Sequence, residues 1–257
     1  AVIQPISRER KVERINRFVP KLVFKLLAVF LAALGVFVVL PLGSTILYAK
    51  GGVGALNRAK ESIPKLDSAQ VVKQSDKAYN NFHSAERSLS SMKWLFIVLS
   101  QKDRFNSFDK LLVSFEDFSQ AVSNLGKAGK PLEIVLDTIR PGSLGTVSQD
   151  SIDEASLDIS QAQNLISIAQ ADFNSVDSTR FPPVISSKLP SFASVLEEAK
   201  NATNVLSTLI SNMPQLLGVD GERKYILLFQ NSNEIRPTGG FIGSYGVLTL
   251  EKGKLKN

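Results

Sequence analysis

The chain of 257 residues contains no cysteine and a single histidine, His83. The lack of cysteine excludes disulfides, thiol nucleophiles and cysteine-ligated metal sites, but it does not identify the compartment. His83 follows Phe82 in a helical pattern, which predicts a half-exposed packing residue, and we assign no metal ligand from the sequence. A domain of about 200 residues can be held together by its apolar core alone.

Charged residues are absent from positions 26–49, a run of 24 residues. As a helix this run would reach about 36 Å, which exceeds a hydrocarbon core of about 30 Å. A cleaved signal peptide is the alternative, but its apolar stretch would span about 7 to 15 residues and end in small side chains. Leu47 and Tyr48 stand where small side chains would be required. The run therefore predicts an uncleaved transmembrane helix.

The positive charge of the chain is concentrated before this helix. Residues 1–25 carry seven basic and two acidic side chains, a net +5 out of +6 for the whole chain. Because basic flanks stay in the cytoplasm, we expect residues 1–25 inside and the chain from about Gly51 outside the cell membrane. The basic segment faces anionic membrane lipid. The remainder is almost neutral, which argues against a nucleic-acid partner.

Apolar residues recur at alternating spacings of three and four in four segments, 71–99, 105–122, 152–176 and 185–213. This spacing is typical of long helices packed at about 20°. Short connections favour antiparallel neighbours, so we predict an up-and-down four-helix bundle over 52–215, with a longer two-helix coiled coil plus additions as the alternative. Ser151 with Glu154 is a candidate capping box for the third helix.

The stretch 94–99 is apolar on every side, in contrast to the striped segments around it. Such a stretch is typical of the most buried part of a helical domain. Insertion into the membrane surface is the weaker alternative.

The period changes from helical to extended after Pro214. Residues 224–230 are apolar at successive positions, which predicts a strand covered on both faces, and 241–250 predicts a second strand. A third strand is expected from Leu255. Overall we expect a mainly α protein in which 216–257 form the first strands of a truncated α/β domain. Three strands do not close a domain, so we expect more sheet after Asn257. Because the sequence does not begin with Met, we also expect the protein to start before Ala1.

The loop between the first two strands is the one segment that suggests a binding site. Arg236 offers a planar donor fork for phosphate or carboxylate, and Glu234 could orient it or bind a cation. Gly239 and Gly240 would let backbone N–H groups approach an anion. A plain loop, with these side chains satisfying local backbone, is the alternative. Weaker supporting candidates in the same loop are Asn231 and Asn233.

Residues 217–257, and above all the string Asn-Glu-Ile-Arg-Pro-Thr-Gly-Gly-Phe at 233–241, resemble a family of bacterial membrane-anchored envelope proteins related to LytR-CpsA-Psr proteins. The resemblance implies an enzyme that moves a glycopolymer from a polyprenyl-pyrophosphate carrier to peptidoglycan, with arginines and a magnesium-binding acid at its site. By this resemblance Arg236 is the candidate phosphate ligand and Glu234 is a weaker candidate for a cation ligand. No catalytic residue is assigned, and no cofactor other than this magnesium ion is expected.

Three functions are compatible with these patterns, and the third, a sensor whose external bundle binds a small ligand, ranks last because about 25 residues before the membrane helix are too few for a cytoplasmic output domain. The first is a single-pass cell-envelope protein that handles lipid-linked or wall glycopolymers through its C-terminal domain. The second is a non-catalytic scaffold in which the helical bundle serves as a spacer or binds protein partners.

Overall fold

The computed structural model describes residues 25–138, 146–231 and 240–256 of the chain. Its helices are α1 (Lys25–Lys65), α2 (Ser68–Ser90), α3 (Lys93–Val98), α4 (Lys102–Ala128), α5 (Lys130–Thr138), α6 (Gln149–Asn174), α7 (Pro183–Ser186) and α8 (Leu189–Leu216). Its strands are β1 (Arg223–Asn231), β2 (Phe241–Glu251) and β3 (Lys254–Lys256). The prediction of a mainly α protein whose C-terminal segment forms strands is confirmed, and these strands make an antiparallel sheet.

Helix α1 continues well beyond the uncharged run. It passes through a π-helical stretch at Gly35–Val39, resumes as an α-helix over Leu40–Ser62 and ends in a 3-10 turn. Pro41 accounts for the wider turn, because proline cannot donate to the preceding turn and its ring crowds that turn's carbonyl. Of the helices in the described ranges, α1 is the one long and apolar enough to cross a membrane.

Within the described ranges five long helices form the bundle, each antiparallel to the next long helix in the chain. The register is fixed by the following contacts: Gly52 with Phe82, Arg58 with Gln74, His83 with Glu116, Ser123 with Asp76, Ser114 with Ala169, Lys110 with Ser175, Gln163 with Asn204, and Phe173 with Phe192. Up-and-down packing is therefore as predicted. The fifth helix is the outer half of α1, which the four heptad segments did not include.

Phenylalanine rings join the helices at the centre of the bundle. The Phe115 ring stacks on Phe82 with centroids 4.9 Å apart and on Phe192 with centroids 3.9 Å apart. Phe118 and Phe173 meet the Phe192 ring edge-on. Rings from α2, α4, α6 and α8 thus form one apolar contact region, and burial of such large side chains dominates core energetics.

Two sequence predictions about the bundle are wrong. Segment 94–99 is not the most buried stretch: Trp94 is 49% exposed and Val98 is 72% exposed. Phe96 packs inward against the core cluster that contains the preceding Met92. Helix α6 also begins earlier than the proposed capping box, because Ser148 Oγ accepts the Ser151 N–H and the helix starts at Gln149.

The sheet is an antiparallel meander in the order β1–β2–β3, attached where α8 ends. The Lys252 N–H donates to Gly218 O at 2.7 Å and the Gly253 N–H donates to Leu217 O at 3.2 Å. The prediction that β1 is covered on both faces is wrong for this chain. Ile226 is 70% exposed on one face and Phe229 is 57% exposed on the other.

Candidate functional site

The loop predicted to bind an anion joins β1 to β2 at the tip of the hairpin. Asn231 and Phe241 are the last paired residues, and a register shift between Phe229 and Gln230 lies just before them. A Cβ on Gly240 would lie 2.7 Å from Asn231 O and 2.7 Å from Gln230 Nε2. Glycine at 240 therefore allows strands β1 and β2 to approach closely at the base of the loop that joins them.

The structure places two of the six candidate residues, Asn231 and Gly240, side by side at this closure. The other four, Asn233, Glu234, Arg236 and Gly239, lie outside the described residues. The phosphate site at Arg236 and the cation site at Glu234 therefore stay predictions.

The hairpin tip is remote from the helical bundle. At the base of β1, Arg223 Nε donates to Gln215 O at 3.2 Å and Tyr225 Oη donates to Leu216 O at 2.6 Å. From Arg223 to Asn231 the strand extends about 26 Å at about 3.3 Å per residue. A ligand at the tip would meet sheet and loop residues, with the bundle at the opposite end of the hairpin.

A cluster of exposed charges lies at the base of the hairpin. Glu222 pairs with Lys224 and Lys256 at 3.0 Å each, and Lys256 also pairs with Glu251 at 3.0 Å. Hydrogen bonds from Lys256 and then Lys224 lower the pKa of the Glu222 carboxyl. Hydrogen bonds to Glu222 and then Glu251 raise the pKa of Lys256. The cluster attaches β3 to the base of the hairpin and keeps its groups ionised.

A second polar cluster lies between α2 and α4, where its side chains are partly exposed, and sequence analysis did not find it. His83 Nδ1 lies 3.0 Å from Glu116 Oε1, and the Tyr79 ring stacks on His83 with centroids 5.9 Å apart. Burial raises the pKa of Glu116, and the facing His83 opposes that rise. Burial, followed by the charge of Glu116, raises the pKa of Tyr79. His83 is half-exposed as predicted, but its partner is 33 residues away in the chain.

Asp117 extends this cluster toward α6. Burial, followed by the charges of Glu116 and Asp172, raises the pKa of Asp117 to about 6. The cluster can therefore hold a proton at mildly acidic pH. Within the described part of the chain no three His, Asp or Glu side chains are grouped as metal ligands would be. We assign the cluster to bundle stability and its dependence on pH.

Comparison with known proteins is informative for the C-terminal segment only. Residues 220–257 match the family described as "Protein of unknown function (DUF4012)". No curated protein and no solved structure matches the chain. The family match contains the sheet and the candidate loop and leaves the helical bundle without a match.

Proposed function

We propose that the chain is a single-pass cell-membrane protein with residues 1–25 in the cytoplasm and the bundle and sheet outside. The observation that carries this proposal is the apolar part of α1, whose membrane-length window has none of its residues buried in the protein. An apolar helix without protein cover is stable in hydrocarbon, where its backbone is internally satisfied. The basic segment before it sets the direction.

The bundle acts as a spacer in this arrangement. Helix α4 has 27 residues and therefore spans about 40 Å. Its N-terminal end lies on the side of the membrane segment of α1, and its C-terminal end lies against the start of α2, where Gly126 contacts Val71. The sheet is attached at that far end through Gly253, which contacts Val147 O.

The function we propose for the sheet is contact with an acidic envelope glycopolymer through the loop at 231–240. Support comes from the resemblance, from the donor fork of Arg236 and from the narrow closure at Gly240. The distance of the sheet from the membrane favours the wall polymer or peptidoglycan over the carrier pyrophosphate at the bilayer surface. Glycopolymer transfer and a magnesium ion at Glu234 are implied by the resemblance alone.

Binding by wild-type and variant full-length chain tests this function. Arg236→Ala should weaken binding of soluble peptidoglycan–glycopolymer fragments in a calorimetric titration, and Arg236→Lys should restore part of it. Lys254→Ala, in β3, is the control for loss of one positive charge on the sheet. A polyprenyl-pyrophosphate glycan is titrated as the second ligand. Tighter binding of this ligand than of the wall fragments would show that the site recognises the lipid carrier. Equal binding by Arg236→Ala and wild type to both ligands would exclude the glycopolymer function.

The orientation can be tested with single cysteines, because the chain has none of its own. Ser160→Cys, on an exposed position of α6, should react with a membrane-impermeant maleimide in intact cells. Ser7→Cys should react only after the cells are permeabilised. Labelling of Ser7→Cys in intact cells would show that residues 1–25 lie outside, which contradicts the proposed orientation.

The alternative is a non-catalytic envelope scaffold. The observation that favours it is the continuous packing of the bundle from Gly52 to Ile210, which makes a rigid spacer whatever the loop binds. A chain in which Arg236→Ala retains all cellular function, while deletion of the bundle abolishes it, would establish the scaffold.

A further inference from the structure

Helix α3 and the following Leu99 expose several large apolar side chains. Trp94 is 49% exposed, Ile97 is 57% exposed, Val98 is 72% exposed and Leu99 is 59% exposed. On its other side Phe96 packs edge-on against Phe105 with centroids 5.6 Å apart, which holds the helix to the bundle. The segment therefore displays its large side chains in a fixed position.

The register between α1 and α2 shows where this segment lies along the membrane helix. Gly51 lies against Asn81, and Arg58 Nε donates to Gln74 Oε1 at 3.0 Å. Both helices rise about 1.5 Å per residue in opposite directions, so the end of α2 is level with about residue 43 of α1. Helix α3 follows directly and is level with about residue 40.

The membrane boundary falls at almost the same height. A hydrocarbon core of about 30 Å that begins at Leu26 takes up about 20 residues and ends near Thr45. Helix α3 would then lie about 7 Å inside this boundary, and interfacial amphipathic helices insert to about 5 to 10 Å. The position of α3 along α1 therefore agrees with the position of the membrane boundary. The first comes from helix packing and the second from the length of the uncharged run.

Two further features mark this end of the bundle as membrane-facing. Residues 93–104 contain the basic side chains Lys93, Lys102 and Arg104 against the single acid Asp103, a balance that suits anionic headgroups. Val184, which is 75% exposed, is at the same end, because Arg180 reaches Asp103 at 3.7 Å and Phe181 packs on Phe108.

We propose that α3 is a second membrane contact, inserted into the outer leaflet of the bilayer that α1 crosses. The proposal rests on the membrane anchoring of α1 proposed above. With contacts at both α1 and α3, the bundle stands at a defined angle to the membrane, and the sheet is held at its far end.

Trp94 is the only tryptophan of the chain, so its fluorescence reports on α3 directly. The full-length chain is reconstituted in phosphatidylcholine–phosphatidylglycerol vesicles, and anchoring is measured separately by flotation with the vesicles. We expect a blue-shifted Trp94 emission that brominated lipid quenches and aqueous acrylamide does not.

Val98→Asp should abolish most of the quenching by brominated lipid while leaving the circular dichroism spectrum unchanged. Val205→Asp is the matched control, since Val205 is 68% exposed on α8, well along the bundle from its membrane end. A chain that floats while acrylamide quenches Trp94 overturns the α3 contact and leaves the anchor in place. Blue-shifted emission without lipid quenching also overturns it, because protein would then cover α3. A chain that does not float overturns both proposals.

Discussion

Gly52 of α1 lies directly against the ring of Phe82 of α2, so that a Cβ at position 52 would be only 2.6 Å from Phe82 Cζ. Phe82 is 1% exposed and its ring also stacks on Phe115. The ring is therefore enclosed by neighbouring side chains. This contact makes the helix that could cross the membrane part of the bundle core.

Replacing Gly52 should destabilise the bundle. We expect Gly52→Leu to lower the free energy of unfolding by about 1 to 3 kcal/mol. The added side chain displaces Phe82, and this overpacking costs more than the improved helix propensity gains. Chemical denaturation in detergent, followed by circular dichroism, measures it. Gly54→Leu is the control, since the nearest atom to its Cβ is Arg58 Nη1 at 3.8 Å. Equal stability of the two variants would contradict the close contact.

The outer half of α1 should be required for bundle stability. A fragment of residues 50–222 is expected to unfold cooperatively, whereas a fragment of residues 66–222 should melt at lower temperature and bind a hydrophobic dye. The reason is that removing Ala55 and Ala59, both fully buried, uncovers the α2 face around Phe82. Identical melting curves for the two fragments would show that α1 is not part of the core.

The aromatic region predicts a large cost for losing a neighbouring aliphatic side chain. Leu196 is fully buried beside Phe118 and Phe192, so Leu196→Ala should cost about 2 to 5 kcal/mol through lost burial and the cavity left behind. Leu157→Ala, at a site 60% exposed on α6, should change stability by no more than about 0.5 kcal/mol. The free energy of unfolding of each variant follows from the midpoint and slope of its chemical denaturation curve.

Asp117 should make the bundle less stable as pH rises. Its pKa is raised from 3.8 to about 6 in the folded chain, so the folded state binds more protons than the unfolded state between these values. Stability therefore falls as pH increases through this window and stays lowered above it. Asp117→Asn should raise the free energy of unfolding at pH 7.5 by about 1 kcal/mol, after allowing for solvent screening of a half-exposed group, and this gain is seen as a higher melting temperature. Near pH 3.5 the variant and wild type should melt alike.

Gly253 should hold the sheet to the bundle. Its φ of +71° favours glycine, and a Cβ there would collide with Val147 O. Gly253→Ala is expected to free the hairpin, seen as faster protease cleavage near Gly218 with unchanged bundle helicity. Gly243→Ala, whose Cβ would meet only the Phe241 ring at 3.8 Å, should leave the cleavage rate as in wild type.

Local pattern was sufficient for much of the architecture. The heptad segments, the hairpin strands and the antiparallel order could all be predicted because each depends on periodicity or on a short connection. Segment 94–99 could not, since an apolar run looks the same whether it faces a core or a membrane. The cluster of Tyr79, His83 and Glu116 was also missed, because nothing in the sequence pairs residues on α2 with residues on α4.

By itself the sequence determined the uncharged helix and the striped helices, and it predicts the orientation of that helix and a binding loop at Arg236. Tertiary structure alone decided that α1 packs into the bundle through Gly52, that α3 shows its apolar side outward, and that burial raises the pKa of Asp117 to about 6. The physical reason is that composition and period act within one segment. Close approach, exposure and pKa are set instead by which segments come to lie against each other.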